Sequence, residues 1–434
     1  MKYQTLLLLL FLTTQATAQV EPSAGSWNTF FCGPASEYRL PRPSPAKSET
    51  EQILAIQKKL SDNDLRQIQF WNAGAPGYRW QDLIMSLWMT PKAGDKGALS
   101  FLLTATASYD ATVAAWDSKY TWKRLRPFEA DKRIQLLVPI PGSPSYPCEY
   151  SVVAGAASTI IGHFYPHLAD SVQRMAQHIM DARVAAGVAY PGDTRAGFEL
   201  GKKIAELEIE RTRHFVPEVK WDGKRPDGAH VWKGNPMSPM AGHCQTVALS
   251  SGSQFRPGPP PDYTKDMEEL KNFKPNFMTG ANAFFFASES FWDEQLNKKI
   301  FEYNLHLNPP RAARLYALTA IGYYDGFTAC WDAKYTYWGT RPDQFDPAFR
   351  PFILITPPFP GYPSGHAAIS GIMAELYSAF FPLDKAYFHQ KAIDAAESRF
   401  QAGIHFRTDN EVGLELGRKV GGVILKKFLP DAGR

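Results

Sequence analysis

The sequence predicts an all-α fold made of two related helical bundles, on three observations. First, apolar residues recur at spacings of three and four in "ETEQILAIQKKLSDNDLRQIQFW", "PHLADSVQRMAQHIMDARVAA", "RAGFELGKKIAELEIERTRHF" and "NEVGLELGRKVGGVILKKF", the period of an amphipathic helix. Second, long runs of alternating β-branched residues are absent, so nothing reads as a sheet. Third, the chain repeats itself. "YDATVAAWDSKYTWKRLRP" at 109–127 returns as "YDGFTACWDAKYTYWGTRP" at 324–342, an offset of 215. "PSYPCEYSVVAGAA" at 144–157 then matches "PGYPSGHAAISGIM" at 360–373, and "ARVAAGVAYPGD" at 182–193 matches "SRFQAGIHFRTD" at 398–409, both at offset 216. Upstream, "QFWNA" near Phe70 is echoed by "SFWDE" near Phe291. The pattern reads as an internal duplication.

Taken in order, residues 1–18 have a basic start, a Leu run and small residues at Ala16 and Ala18. They read as a secretory signal cleaved after Ala18, which makes the mature protein an exported, periplasmic or secreted one. No later stretch is apolar for long enough to span a bilayer. Residues 19–221 form the first helical half. Residues 222–280, rich in Gly, Pro and Ser and including "SQFRPGPPPDY", read as a long irregular connector draped over the bundles. Residues 281–434 form the second half. Aromatics make up 13% of the chain, enough to fill wide helix contacts. A formal charge of +4 is spread over a chain with 43 acidic residues and gathers into no basic stripe, which argues against nucleic acid as a partner. Cys32, Cys148, Cys244 and Cys330 form no CxxC pair; an oxidising compartment permits disulfides among them, and buried free thiols fit equally well. Oligomeric state is left open.

The chemistry gathers in the second half. In "PGYPSGHAAIS" at 360–370, Pro363 keeps a helix from arriving and Ser364 is a good N-cap for one that leaves. The first amides, the Ser364 hydroxyl and the His366 ring then face one point, and a helix start suits an oxyanion. Alone, the stretch reads equally as a capped helix with a surface His. Lys334 and Arg341 are seven residues apart, near two turns, which places both on one helix face with Pro342 ending or kinking it; by themselves they read as two solvated cations. In "SRFQAGIHFRTDNEVG", Arg399 sits near the end of a helix that Gly403 breaks. His405 follows in the turn, and Asp409 is placed to cap the next helix and to hold one nitrogen of His405. Together, three cations, a hydroxyl, helix-start amides and two imidazoles suit a multiply charged tetrahedral oxyanion. Neither so much positive charge nor such an ion can be buried without the other.

Lys-(x)6-Arg-Pro, then Pro-Ser-Gly-His, then Ser-Arg-(x)5-His-(x)3-Asp, in that order, resembles the type-2 phosphatidic acid phosphatase and vanadium haloperoxidase superfamily. Lys334, Arg341, Pro342, Pro363, Ser364, Gly365, His366, Ser398, Arg399, His405 and Asp409 fill every motif position. The layout with the "QFRPGPPP" connector is similar to soluble bacterial haloperoxidase-like members. The resemblance implies that Lys334, Arg341, Ser364, Gly365 and Arg399 bind the oxygens of phosphate or vanadate. It implies that His405 ligates vanadium at the apex or attacks phosphorus, that His366 is the acid–base residue and that Asp409 orients His405, so the catalytic set is His366, His405 and Asp409. In the first half Lys119, Arg126, Arg183 and Asp193 remain. Cys148, Glu149 and Tyr150 replace Ser364, Gly365 and His366, and Ala189 replaces His405. Glu149 puts a carboxylate where an anion belongs, so the first half reads as a scaffold whose charges pair internally.

Two activities fit. The resemblance leans towards a vanadate-dependent haloperoxidase that oxidises halide with hydrogen peroxide, with Trp331 and Phe359 lining the halide side of the pocket; core packing is the plainer reading of both rings. The alternative is an exported acid phosphatase that needs no cofactor and cleaves a phosphate ester through a phosphohistidine on His405. A non-enzymatic anion binder is a third reading, disfavoured because every reactive residue of the second half is intact.

Overall fold

The computed structural model describes residues 20–88, 90, 96–288 and 290–429; the expected signal at 1–18 lies outside the described residues. Among the described residues the architecture is all-α, and the only pairing of extended chain is an isolated bridge between Val231 and Gly339. No described helix is long and apolar enough to cross a membrane. All four cysteines are free thiols.

Two long helices, Gly97–Trp122 and Pro309–Tyr337, pack on each other at the centre. Both are buried over nearly their whole length. Their sequences go most of the way to explain this, because apolar and small residues lie on every side and leave no broad face to give to water, while buried charges such as Asp110 and Asp325 are met by backbone amides. Around each lie a 16-residue helix (Glu149–Phe164 or Gly365–Phe380), a 17-residue helix (Ala169–Ala185 or Lys385–Gln401) and a 22-residue helix (Pro191–Thr212 or Arg407–Phe428). Element boundaries thus recur at the offset seen in the sequence. Both central helices also stop on a left-handed residue, Lys123 and Trp338, each with φ near +49°.

The 16- and 22-residue helices of each half cross very closely. A Cβ on Gly417 would stand 2.0 Å from the Ala368 carbonyl oxygen, and one on Gly201 would stand 1.9 Å from that of Val152. Only glycine fits, because backbone cannot step aside as a side chain can. Gly417→Ala is therefore expected to cost about 1–3 kcal/mol or more, seen as a lowered midpoint in thermal unfolding.

Two sequence expectations change. The "SFWDE" echo of "QFWNA" is not part of the spatial repeat. Trp71 sits at the end of Asp62–Asn72 and packs on Ala182 of the Ala169–Ala185 helix. Trp292 instead opens Phe291–Glu302 and donates to Ser370 Oγ at 3.0 Å. The helix that lies on Lys385–Gln401 as Asp62–Asn72 lies on Ala169–Ala185 is Phe277–Phe285. Residues 222–280, expected to be irregular, contain the helix Thr264–Asn272 and the start of Phe277–Phe285. Tyr263, Met267 and Leu270, spaced by four and three, are buried against Phe349, Phe400 and Phe406, a helical stripe hidden behind the Pro-rich run before it.

The connector also braces the second half. Asp325 accepts from the amides of Val247, Ala248 and Leu249, and Asp332 takes both arms of Arg256 at 2.7 Å. In the first half Asp110 accepts from Phe30, Phe31 and Cys32, and Asp117 pairs with Arg39.

Candidate active site

Lys334 lies in the last turn of Pro309–Tyr337 and is fully buried. Its Nζ donates to the carbonyls of Pro360 and Gly361 at 2.7 and 2.9 Å, leaving its third proton for another acceptor. Arg341 is not on that helix. The chain turns at left-handed Trp338, and Arg341 caps the short helix Pro342–Phe345, which Pro342 starts rather than ends. A helix-face argument cannot hold across that turn; what brings the two cations together is the loop 358–361, since Arg341 Nε donates to the Phe359 carbonyl at 3.2 Å. Arg341 is fully buried and its Nη2 has no hydrogen-bond partner.

His405 sits after Gly403, whose φ of +79° ends the Lys385–Gln401 helix as expected. Its Nε2 lies 2.8 Å from Arg341 Nη1 and its Nδ1 2.9 Å from Asp409 Oδ2. A guanidinium only donates, so Nε2 is the bare nitrogen and the ring proton sits on Nδ1, facing the carboxylate. Burial, followed by the charges of Arg341, Lys334, His366 and Arg399, holds the imidazole well below its ordinary pKa and therefore neutral. All four act on this one ring, so the structure brings Lys334, Arg341, His366, Arg399 and His405 into one neighbourhood.

Asp409 is the third residue of Arg407–Phe428, and it caps that helix from inside by accepting from Phe406 N at 3.2 Å. Ser364 caps Gly365–Phe380, with its Oγ accepting from Ala367 N at 3.4 Å and its own amide donating to the Asp409 carbonyl at 2.9 Å. A Cβ on Gly365 would meet Trp331 Cζ3 at 3.6 Å and Lys334 Cε at 4.0 Å, so this helix starts beside the lysine. His366 follows, half-buried. Arg399 is buried, with Nε donating to Ser398 Oγ at 3.0 Å and Nη2 to the Ala283 carbonyl at 2.6 Å. Trp331 and Phe359 stand as a wall, their centroids 5.1 Å apart. Lys334 Nζ is 5.8 and 5.2 Å from the two rings, and Arg341 Cζ is 5.1 Å from Phe359.

Sequence reasoning missed Tyr263, in the connector. Its hydroxyl donates to Asp409 Oδ1 at 2.9 Å, and its ring stacks on Phe406 at 4.0 Å. Asp409 thus has both oxygens engaged, one by His405 and one by Tyr263. Burial raises its carboxyl to about 6 even so. No local pattern could have flagged a tyrosine so far along the chain; the one signal was a tyrosine closing the run "PPPDY".

The first half gives an internal comparison. Lys119 Nζ, Arg126 Nη2 and Arg183 Nη2 reach the carboxylate of Glu149 at 2.9, 3.2 and 3.0 Å, and all four residues are buried. Burial alone would raise Glu149, but the three cations hold it well below the usual carboxylate range. By position these residues correspond to Lys334, Arg341 and Arg399, with Gly365 in place of Glu149. The second half therefore gathers the same three cations and omits the anion. Its remaining carboxylate, Asp409, is spent on His405 and Tyr263. The cost appears in the cations themselves: loss of solvent lowers Lys334 to about 7 and Arg341 to about 10.

No family model matches the chain, and no curated protein matches it. Solved structures do. A bacterial vanadium-dependent iodoperoxidase is similar at 19% identity and a TM-score of 0.56, over 89% of this chain and 98% of that one. A bacterial vanadium-dependent chloroperoxidase is similar in its apo form at 12% identity and 0.57, over 77% and 93%, and in its holo form at 12% and 0.53, over 65% and 82%. The chain has the fold of the bacterial vanadium-dependent haloperoxidases.

Proposed function

We propose that the protein is an exported vanadate-dependent haloperoxidase that uses hydrogen peroxide to oxidise halide to hypohalous acid. The observation that carries the reading is the contrast between the halves: three buried cations closed by Glu149 in one, and in the other Lys334 beside Gly365, Arg341 on His405, and Arg399 close enough for its charge to help keep His405 neutral. The residues fit vanadate. Arg341 Nη2 is a buried donor without an acceptor, Lys334 keeps one proton to give, and the amides that open Gly365–Phe380 favour negative charge. Lys334, Arg341, Arg399, Ser364 and Gly365 would hold its oxygens, and the unprotonated Nε2 of His405 would ligate the metal in exchange for the hydrogen bond it now accepts from Arg341. When bound, vanadium would supply Lewis-acid activation of peroxide towards halide.

The chain's own residues do the rest. Asp409, itself held by Tyr263, fixes the Nδ1–H tautomer of His405 and so keeps Nε2 bare. His366 moves protons at the half-buried edge of the site. The Trp331–Phe359 wall keeps water from one flank of Lys334 and borders the halide. The same bare Nε2 is also a nucleophile, which is the feature an acid phosphatase would use.

One experiment separates the two. The protein is assayed with peroxide and each halide, with and without vanadate, and in parallel with a chromogenic phosphate ester. Halide oxidation that appears only with vanadate is the expected result. Ester hydrolysis that vanadate inhibits, with no halide oxidation, would overturn it in favour of the phosphatase.

The lowered Lys334 sets a pH dependence. An oxyanion is held by the charged ammonium, whereas above about pH 7 the free protein carries an increasing share of neutral amine. Binding above that pH must take up a proton, so affinity for orthophosphate, used as a probe, should fall with rising pH by up to about tenfold per unit. Calorimetric titration in buffers of different ionisation enthalpy reads the proton uptake, and Lys334→Met should lose it.

A further inference from the structure

The helix Phe277–Phe285, "FMTGANAFF", carries no charged residue. Its inner side is well used. Ala283 and the following Phe286 are buried, Asn282 Nδ2 donates to Gln401 Oε1 at 2.8 Å, and the Ala283 carbonyl receives Arg399. Its outer side is as apolar as the inner one. Phe277, Met278, Phe284 and Phe285 are 86, 71, 63 and 56% exposed. With Ala281, also exposed, they fall at i, i+1, i+4, i+7 and i+8, a single stripe about a third of the way round the helix. Ile353 lies 3.5 Å from where a Cβ on Gly280 would stand, and Ile355, two residues on, is 93% exposed.

We propose that this outer face is the interface of a symmetric dimer, in which a second copy of the chain lays its own Phe277–Phe285 helix antiparallel across it. Three arguments favour a second copy. Four large side chains and Ile355 leave on the order of 600 Å² of apolar surface bare, taking ~150–250 Å² for each aromatic ring. That is at the top of what monomers expose and near the ~800 Å² per partner of a standard interface. The helix has no charge, so a two-fold axis through it brings no like charges together, and charge depletion marks the core of an interface. Ala281, at the centre of the stripe, leaves room for rings from the opposing helix. A lipid surface fits less well, because helices that lie on membranes carry a strongly charged face, and the other face here is buried in protein. Through Ala283, the docked helix is also the one that receives Arg399, so the interface would back the cation cluster.

The test is sedimentation velocity on the protein without residues 1–18, as wild type, Phe284→Asp, Ala281→Arg and Leu125→Asp, the last an exposed apolar position on the first half. Expected are a dimer for wild type and Leu125→Asp, and dissociation constants raised at least ~100-fold for the two helix variants, with far-UV circular dichroism unchanged. Ala281→Arg keeps the test open should Phe284→Asp misfold. A monomeric wild type, a dimer indifferent to both helix variants, or a wild-type monomer that floats with phosphatidylglycerol vesicles would each overturn the proposal. None of these outcomes depends on whether the chain oxidises halide.

Discussion

His405→Ala is expected to abolish the halide oxidation proposed above: turnover with vanadate present should fall by on the order of 10³-fold or more. The ring has no substitute. Arg341 occupies its Nε2 and Asp409 its Nδ1, so both the ligating nitrogen and the carboxylate that orients it lose their purpose together. The corresponding residue of the first half is Ala189, buried in the core, and no second imidazole there can take over. The variant should still bind orthophosphate, since Lys334, Arg341 and Arg399 remain. Steady-state kinetics with a phosphate titration therefore distinguishes lost chemistry from a lost site. Turnover within tenfold of wild type would remove His405 from the reaction.

Glu149→Gly should cost about 3–5 kcal/mol of stability, the range for leaving buried charge unpaired. Lys119, Arg126 and Arg183 all close on that one carboxylate, and glycine is what the second half carries at the matching position. The variant would then resemble the second half, with three cations and no internal anion. Added orthophosphate should restore part of the lost unfolding midpoint, and more than it adds to wild type. Differential scanning calorimetry with and without phosphate checks both statements. An unchanged midpoint would mean that the three cations are satisfied without the carboxylate.

Much of this was legible in the sequence because its signals are local or periodic. The helices follow from three- and four-residue spacing, and the matched halves follow from the offset of "WDSKYTWKRLRP" against "WDAKYTYWGTRP". Ser364 at a helix start after Pro363, and His405 with Asp409 four residues on, are short-range geometry that spacing can carry. The Lys334–Arg341 argument reached the right neighbourhood by the wrong route. Seven residues suggest one helix face, yet the left-handed turn at Trp338 intervenes, and proximity is restored by hydrogen bonds to a loop 18 to 27 residues away. The "SFWDE" echo failed because a Phe-Trp pair fits any amphipathic helix. Tyr263 was out of reach, since its bond to Asp409 spans 146 residues and leaves no trace in any local window.

The paired clamps of Asp110 and Asp117 on 30–39, and of Asp325 and Asp332 on 247–256, bear on how the chain tolerates being cut. Each half is fastened by a segment that lies on its own side of residues 222–230, which are exposed throughout. A nick in that stretch would sever the polypeptide without separating either half from its fastening, and the two central helices would still hold the pieces together. The molecule is thus built like a two-fragment protein whose parts happen to share one backbone.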